Sequence, residues 1–317
     1  MFLYLEPKME GGNILMEVLY KIVALMNWQI ISKWKCLIIS DLDGTLLNNN
    51  VELDPLTIKV VKELVSRGHV FAIVTGRPPH GALDIYKKLG LKHLMINFNG
   101  SFIWHPLNKK FLPVNLSFNF DVARRLVRSH SIQKCVKNIV VENNDGTFAW
   151  YLPTNEEEKK SFFKNFHIRD EQHLHPVIAD LSNIKDVDIH SILIQLKSDS
   201  FLDEIMYEIR QHSETLITRV WRDSSYGIVI EINSRFASKG KALEFLSSYY
   251  GISLEHCIAF GDGDNDAEML QTATYGYAMR NATMTAKLYS RLITKDDNDE
   301  QGVARELIKF FGLKNME

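Results

Sequence analysis

The sequence predicts an α/β protein, a parallel-sheet core into which an α+β unit is inserted. Three observations carry this. Near the start, short apolar runs end in acidic or Thr-Gly turns and alternate with helical patterns. Near the end the same alternation returns. Between them the style changes, and strand-like runs come in hairpin-like pairs. Strand–helix–strand alternation at this spacing means right-handed βαβ units, whereas paired short strands mean an antiparallel sheet.

Residues 1–34 stand apart. From Ile14 to Ile31 the segment is mostly apolar, but Glu17, Lys21, Asn27 and Gln29 break it. It therefore falls short of an uninterrupted membrane span. The pairs Ile14/Leu15, Val18/Leu19, Ile22/Val23 and Leu25/Met26 recur at steps of three and four, which makes one helical stripe. Glu6 and Glu10 precede it rather than a basic leader. It reads as a helix packed on its own protein or an inert extension, with an interfacial helix as the alternative. No firm membrane association is expected.

Lys35 to Ser40 reads as a buried parallel strand that ends at an acidic turn. Asp54 then stands as N-cap and Pro55 as first residue of a helix that Gly68 ends. His69 to Val74 is a second strand, followed by Thr75-Gly76-Arg77-Pro78. A helix runs to about Gly90, and Leu94 to Phe98 is a third strand. In the middle, Ile189 to Leu196, Leu216 to Trp221 and Tyr226 to Ile232 read as strands. Helices are expected near Val122 to His130, Glu156 to Phe166 and Phe201 to Gln211. Ser238 to Tyr250 is helical, His256 to Phe260 is a strand, and Gly261-Asp262-Gly263-Asp264 follows it. A helix through Glu268 to Leu270, a strand Tyr275 to Met279 and a helix Gly302 to Phe311 complete the chain. The organisation expected is 1–34 as an extension, 35–102 with 234–317 as the core, and 103–233 as the insert.

The 317 residues carry 37 Lys+Arg against 39 Asp+Glu, a net charge of −2. That balance argues against a surface built for nucleic-acid phosphates. Cys36, Cys135 and Cys257 lie far apart and form no C-x-x-C. Cys36 and Cys257 lie in apolar runs and read as buried inert thiols, and a reducing, cytoplasmic compartment is the simplest reading. Oligomeric state has no signature here. His173 and His175 read as loop residues rather than a second metal site, and Trp150, Trp221 and Arg222 are as easily core as surface.

Four clusters sit where strands end, the edge at which open parallel sheets bind ligands. Asp41-Leu42-Asp43 places two carboxylates past a buried strand. Such a pair is costly without a cation, and a hard metal such as Mg²⁺ is the natural neutraliser. Taken alone, D-x-D is more simply a surface turn, and it is the buried strand before it that favours the functional reading. Thr75-Gly76-Arg77 offers a hydroxyl and backbone N–H to an anion before a helix. Lys239 stands at a helix start, where the macrodipole disfavours a cation unless it reaches an anion. Gly261 to Asp266 contributes three carboxylates and an amide, of which one or two residues cap the next helix. Together these are the parts of a phosphoryl-transfer site, and an aspartate can attack phosphorus. No G-x-x-x-x-G-K-[ST] loop is present.

DLDGTL at Asp41 to Leu46, VTGR at Val74 to Arg77, SKGKAL at Ser238 to Leu243 and GDGDND at Gly261 to Asp266 occur in that order. With them the chain, from about Lys35 to its end, resembles the haloacid dehalogenase (HAD) superfamily, Cof-type phosphatase branch. The long interval between Arg77 and Lys239 fits that branch's large α+β cap (type IIB). The resemblance implies a Rossmann-like core, Mg²⁺ as cofactor and a small phosphorylated metabolite, foremost a sugar phosphate, as substrate.

It also implies roles. Asp41 matches the nucleophile that forms an aspartyl-phosphate. Asp43 matches the general acid/base, with its backbone carbonyl on Mg²⁺, and must begin protonated. Thr75, Gly76, Arg77, Asn99 and Asn265 match phosphate-binding positions. Lys239 matches the lysine that holds phosphate and nucleophile. Asp262 joins Asp41 and Asp43 around the metal, and Asp266 orders its outer shell. A phosphosugar mutase is the rival reading, and a catalytically inactive binding module a more distant one.

Overall fold

The computed structural model describes residues 34–168, 171–177, 181–182, 184, 188–211, 214–223, 227–313 and 316. The apolar stripe from Ile14 to Ile31, and Tyr226 at the start of an expected strand, lie outside these residues. No helix among the described residues is long and apolar enough to cross a membrane.

The core begins with β1 (Leu37–Ser40), α1 (Pro55–Ser66), β2 (Val70–Ile73) and α2 (Pro79–Lys88). All four residues of β1 and all four of β2 are buried, as strands covered on both faces must be. Asp54 stands at the N-cap of α1 with Pro55 behind it, but its side chain makes no cap hydrogen bond. The fixed φ of Pro55 sets the helix start instead.

The third strand departs from expectation. β3 (Met95–Asn97) pairs antiparallel with β4 (Phe102–Trp104), which pairs in turn with β5 (Val114–Asn115). It meets the β1–β2 neighbourhood through a parallel bridge between Val74 and Ile96 rather than as a full ladder strand. The chain turns back at once through Asn99 and Gly100, so β3 is shared between the core and the way out of it.

The insert comprises α3 (Phe120–Arg128), α4 (His130–Cys135), β6 (Val136–Glu142), β7 (Thr147–Ala149), α5 (Glu156–Asn165), β8 (Leu174–Pro176), β9 (Ser191–Leu196), α6 (Leu202–Arg210), β10 (Leu216–Asp223) and β11 (Gly227–Ser234). Its six-stranded sheet has the order β10-β11-β9-β6-β7-β8. Every pair is antiparallel except β7 with β8, which is parallel, so the expectation of hairpin pairs fails at that edge. His175 belongs to β8 rather than to a loop. One sheet face packs Val141, Ile192 and Ile232 against α3, α4 and α6. The other packs Val140, Leu193 and Val229 against Phe162 and Phe166. This alternation along each strand builds two cores on one sheet.

The chain returns to the core with α7 (Lys239–Tyr250), β12 (Cys257–Gly261), α8 (Ala267–Thr272), β13 (Tyr275–Ala278), α9 (Met284–Tyr289), β14 (Leu292–Ile293) and α10 (Gly302–Phe311). The five-stranded core sheet has the order β14-β13-β12-β1-β2 and is parallel throughout. β1 lies between β2 and β12, so the chain leaves it in one direction and returns on the other side. That switch point opens a crevice at the carboxyl edge. All three cysteines are buried and free.

Candidate active site

Three strand ends and one helix start converge on this crevice. Asp41 follows β1, and its N–H continues the ladder to the Phe260 carbonyl of β12 at 3.0 Å. Asp262 follows β12, and Thr75 follows the end of β2. Lys239 is the first residue of α7, capped by the Ser238 hydroxyl, which accepts from the Lys241 N–H.

Beyond Asp41 the chain makes a tight turn over Leu42–Leu46, closed by the Leu47 N–H on the Leu42 carbonyl at 2.9 Å. Gly44 has φ +67° there, and a Cβ would lie 2.8 Å from the Asp262 Cγ and closer to its oxygen. Only glycine admits both the left-handed backbone and that approach. The Thr45 hydroxyl, donating to Asp262 Oδ1 at 2.7 Å, ties this turn to β12. The motif contained Thr45, but nothing in its spacing said which carboxylate it reaches.

Lys239 is wholly buried, with Nζ 3.0 Å from Asp41 Oδ1 and 2.7 Å from Asp266 Oδ1. Burial works against its charge, but Asp266 and Asp41 outweigh it and keep its pKa above the ordinary lysine value. The ammonium placed against a helix dipole is therefore held by two carboxylates. Asp266 gives its other oxygen to the N–H groups of Asp262 and Gly263, at 3.0 and 2.9 Å. It fixes the loop and the lysine together.

Asp41, Asp262 and Asp266 each place an oxygen within 4.8 Å of the others'. Burial raises the pKa of Asp41 well above the carboxylate range, and Asp266, Asp262 and Asp43 add to the rise against Lys239. Burial and Asp266 likewise push Asp262 up to about 7, against Thr45 and Lys239. One lysine does not neutralise this much negative charge. An all-oxygen cluster short of positive charge is what a hard divalent cation fits. Both Asp266 oxygens are already engaged, so Asp41 and Asp262 are the carboxylates left to hold a metal.

Asp43 differs from its sequence reading. Arg77 forks onto it, with Nε donating to Oδ2 at 2.7 Å and Nη2 to Oδ1. His167, in the loop after α5, approaches to 3.9 Å. Burial opposes ionisation, but His167 and Arg77 prevail and hold Asp43 at about 2. Burial drops His167 itself to about 4, so it is neutral near pH 7 and Arg77 is the partner that keeps Asp43 charged. The proton expected on Asp43 is thus disfavoured while the fork is closed. Arg77, expected beside the phosphate, is engaged with Asp43 and with the Gly81 carbonyl at 3.0 Å.

The remaining positions form a polar wall. Thr75 Oγ1 accepts from the Arg77 N–H at 3.1 Å. Asn265 Nδ2 donates to Asn99 Oδ1 at 2.9 Å. Asn99, at φ +56°, also donates to Glu231 Oε1 at 2.6 Å and to Asn233 Oδ1 at 3.2 Å, both from β11. Gly76 lies against it, where a Cβ would meet Asn99 Oδ1 at 3.3 Å. Sequence reasoning missed Glu231 and His167, because neither belongs to a motif and both reach the site from the insert.

The family model for haloacid dehalogenase-like hydrolases matches residues 38–307. The chain belongs to that family. It is a phosphatase of the Cof-type branch. It is 32% identical over 280 residues to the 5-amino-6-(5-phospho-D-ribitylamino)uracil phosphatase YitU of Bacillus subtilis, covering 87% of this chain and 98% of that one. The HMP-PP phosphatase of Serratia proteamaculans is 27% identical, over 84% of this chain and 92% of its own. A haloacid dehalogenase-like hydrolase of Bacteroides thetaiotaomicron superposes with a TM-score of 0.71 at 23% identity, covering 88% of this chain and all of that one. At that identity the likeness speaks for the fold.

Proposed function

We propose that this phosphatase hydrolyses small phosphorylated metabolites, sugar phosphates foremost, with Mg²⁺ and through an aspartyl-phosphate on Asp41. The observation that carries the reading is the Asp41 carboxylate at the switch point, 3.0 Å from a buried ammonium and within reach of Asp262. Asp41, Asp262 and the Asp43 backbone carbonyl would hold Mg²⁺, with Asp266 bracing the loop. The bound ion would neutralise the carboxylates and the phosphate oxygens.

Asp41 attacks phosphorus, and the bond from phosphorus to the ester oxygen breaks. The leaving oxygen takes a proton from Asp43 and departs as an alcohol. Water then attacks the aspartyl-phosphate, gives its proton back to Asp43, and releases Asp41 and inorganic phosphate. For the first half, Arg77 must turn from Asp43 toward the phosphate, which frees Asp43 to carry a proton. Lys239, Thr75 and the Asn99–Asn265 pair offer donors to the phosphate oxygens. The unit from Phe120 to Ser234 acts as the cap that shields the site from water, whereas Ile103, Trp104 and Val114, expected in the insert, pack with the core instead.

The test is hydrolysis of p-nitrophenyl phosphate and of sugar phosphates by the full chain. Free phosphate should appear with Mg²⁺ and cease with EDTA. Asp41→Asn should reduce turnover by about 10³-fold or more, as expected for loss of a nucleophile. Normal turnover by that variant would sink the assignment of Asp41, and isomerised product without free phosphate would favour a mutase.

A further inference from the structure

The core sheet has a second edge, opposite the catalytic one, where its strands begin. β3 runs parallel to β2 and β4 antiparallel to β3, so the connections from α2 to β3 and from β4 to β5 both fall there. Lysines gather on this edge. Lys35 precedes β1, Lys87 and Lys88 end α2, Lys92 precedes β3, and Lys109 and Lys110 lie between β4 and β5. All are exposed, and none is in an ion pair among the described residues. Of the acids nearby, Glu63 is paired with Arg67, and Glu255 is exposed beside His256.

The cations belong to one patch. The Tyr86 hydroxyl donates to the His93 carbonyl at 2.8 Å and holds the end of α2 against the start of β3. Burial lowers the pKa of His93, and the charges of Lys35, His105 and Lys92 lower it further against a hydrogen bond to the Phe71 carbonyl. Positive groups thus converge on His93 from β1, β4 and its own loop. A helix dipole accounts for lysines in a last turn, which covers Lys87 and Lys88 but not Lys35, Lys92, Lys109 or Lys110.

The β4–β5 loop adds apolar surface to the charge. Leu107 is 62% exposed and Leu112 86%, on either side of Lys109 and Lys110. The loop is nonetheless well tied. His105 Nδ1 accepts from the N–H groups of Leu107 and Asn108 at 3.2 and 3.1 Å, and Asn108 Oδ1 accepts from the Lys110 N–H at 3.1 Å. Phe111 packs on the core with its ring 5.7 Å from that of Tyr249 on α7. The fold therefore spends Phe111 as the anchor and leaves Leu107 and Leu112 in water. The chain enters the described structure at the same edge, where Trp34 stacks on His256 at 4.1 Å. The apolar stripe read in the sequence ends just before it, at Ile31.

We propose that this edge docks on an anionic lipid bilayer, with Leu107 and Leu112 seated among the acyl chains and the lysines on the headgroups. Ammonium groups near an acidic leaflet are attracted to it, and aliphatic side chains beside them gain by leaving water. A nucleic acid would be met instead by stacking rings and arginine, and outward leucines would add nothing to it. Such docking is reversible and needs no crossing helix. It goes beyond the absence of firm membrane association expected from residues 1–34 alone. The catalytic crevice, at the other edge, stays open to soluble substrate, so the proposal stands apart from the phosphatase reading.

Co-sedimentation of the full chain with vesicles tests it. The vesicles are phosphatidylcholine alone and phosphatidylcholine with about one third phosphatidylserine. In about 0.1 M salt the mixed vesicles should bind the chain about tenfold or more tighter, and about 0.5 M salt should remove most of the difference. Lys109→Gln with Lys110→Gln should weaken binding to the mixed vesicles about tenfold or more, since each lysine near the surface is worth about fivefold. Leu107→Ser with Leu112→Ser should also weaken it about tenfold or more, with the salt dependence kept. Both variants should retain native circular dichroism and wild-type turnover of p-nitrophenyl phosphate. Equal binding to the two kinds of vesicle overturns the proposal, as does wild-type binding by the lysine variant. Wild-type binding by the leucine variant overturns it too, since the surface would then be purely electrostatic. Tighter binding to a single-stranded RNA oligonucleotide than to the mixed vesicles would assign the edge to nucleic acid instead.

Discussion

Glu142→Gln makes a sharp prediction about stability. The Glu142 side chain is 2% exposed, with Ser191 and Thr147 on the flanking strands and Glu231 nearby. Thr147 in turn faces His80, and Arg219 on β10 lies beyond Glu231. Burial and Glu231 raise the carboxyl from 4.5 to about 8. A raised carboxyl pKa means the folded chain keeps a proton that the unfolded chain has lost. Stability is therefore unaffected by this group below about pH 4.5, falls as pH rises from there, and levels off above about pH 8. Each unit in that window costs about 1.4 kcal/mol, so the span from about pH 5 to pH 8 costs up to about 4 kcal/mol. Glutamine carries no titrating proton and removes the slope. The variant should match wild type within about 1 kcal/mol near pH 5 and exceed it by about 2–4 kcal/mol near pH 8. In thermal melts at the two pH values, that is roughly 5–10 °C at the higher one. A variant that melts below wild type near pH 8, or by the same offset at both values, would refute the reasoning.

Two substitutions in the core probe the other carboxylates. Lys239→Met leaves Asp41 and Asp266 buried without their shared ammonium. It should cost about 3–5 kcal/mol in denaturant melts and reduce p-nitrophenyl phosphate turnover by roughly 10³-fold. Gly44→Ala forces a methyl group against the Asp262 carboxylate at a backbone φ of +67°. Its strain is about 1–2 kcal/mol, but a displaced Asp262 should reduce kcat by about 10²-fold. The concentration of Mg²⁺ needed for half-maximal rate should rise with it, and an unchanged Mg²⁺ requirement would count against Asp262 as a ligand.

The core was legible because its information is local. An apolar run followed by Asp, Thr or Gly marks a strand end, and in a parallel sheet all such ends share one edge. Asp41, Thr75 and Asp262 could therefore be placed together without knowing a single contact. What joins them could not be read. That Thr45 reaches Asp262, or that Arg77 forks onto Asp43, depends on rotamers and on the Leu42–Leu46 turn, neither of which has a sequence signature. The cap was harder. β6 alternates poorly because Lys137, Asn138 and Glu142 interrupt its apolar run. The parallel β7–β8 pair has no hairpin turn to announce it. Nothing in the sequence marks Glu142 and Glu231 as buried, since charged side chains are almost never fully buried.

Those two glutamates and the core aspartates show how one residue type serves opposite ends in a single crevice. Asp41, Asp262 and Asp266 crowd around a buried lysine, and their raised pKa values mark a deficit of positive charge at a place open to a cation. Glu142 has no such partner. Its nearest titrating neighbour is another carboxyl, and its side of the sheet passes directly into the apolar cluster around Leu193. There a proton, rather than a metal, relieves the charge. The first arrangement attracts the phosphate once a cation is bound, and the second holds a proton up to about pH 8 and so carries no charge near neutrality. The near-zero net charge of the chain conceals this, because both sets of acids are balanced by basic residues elsewhere on the surface.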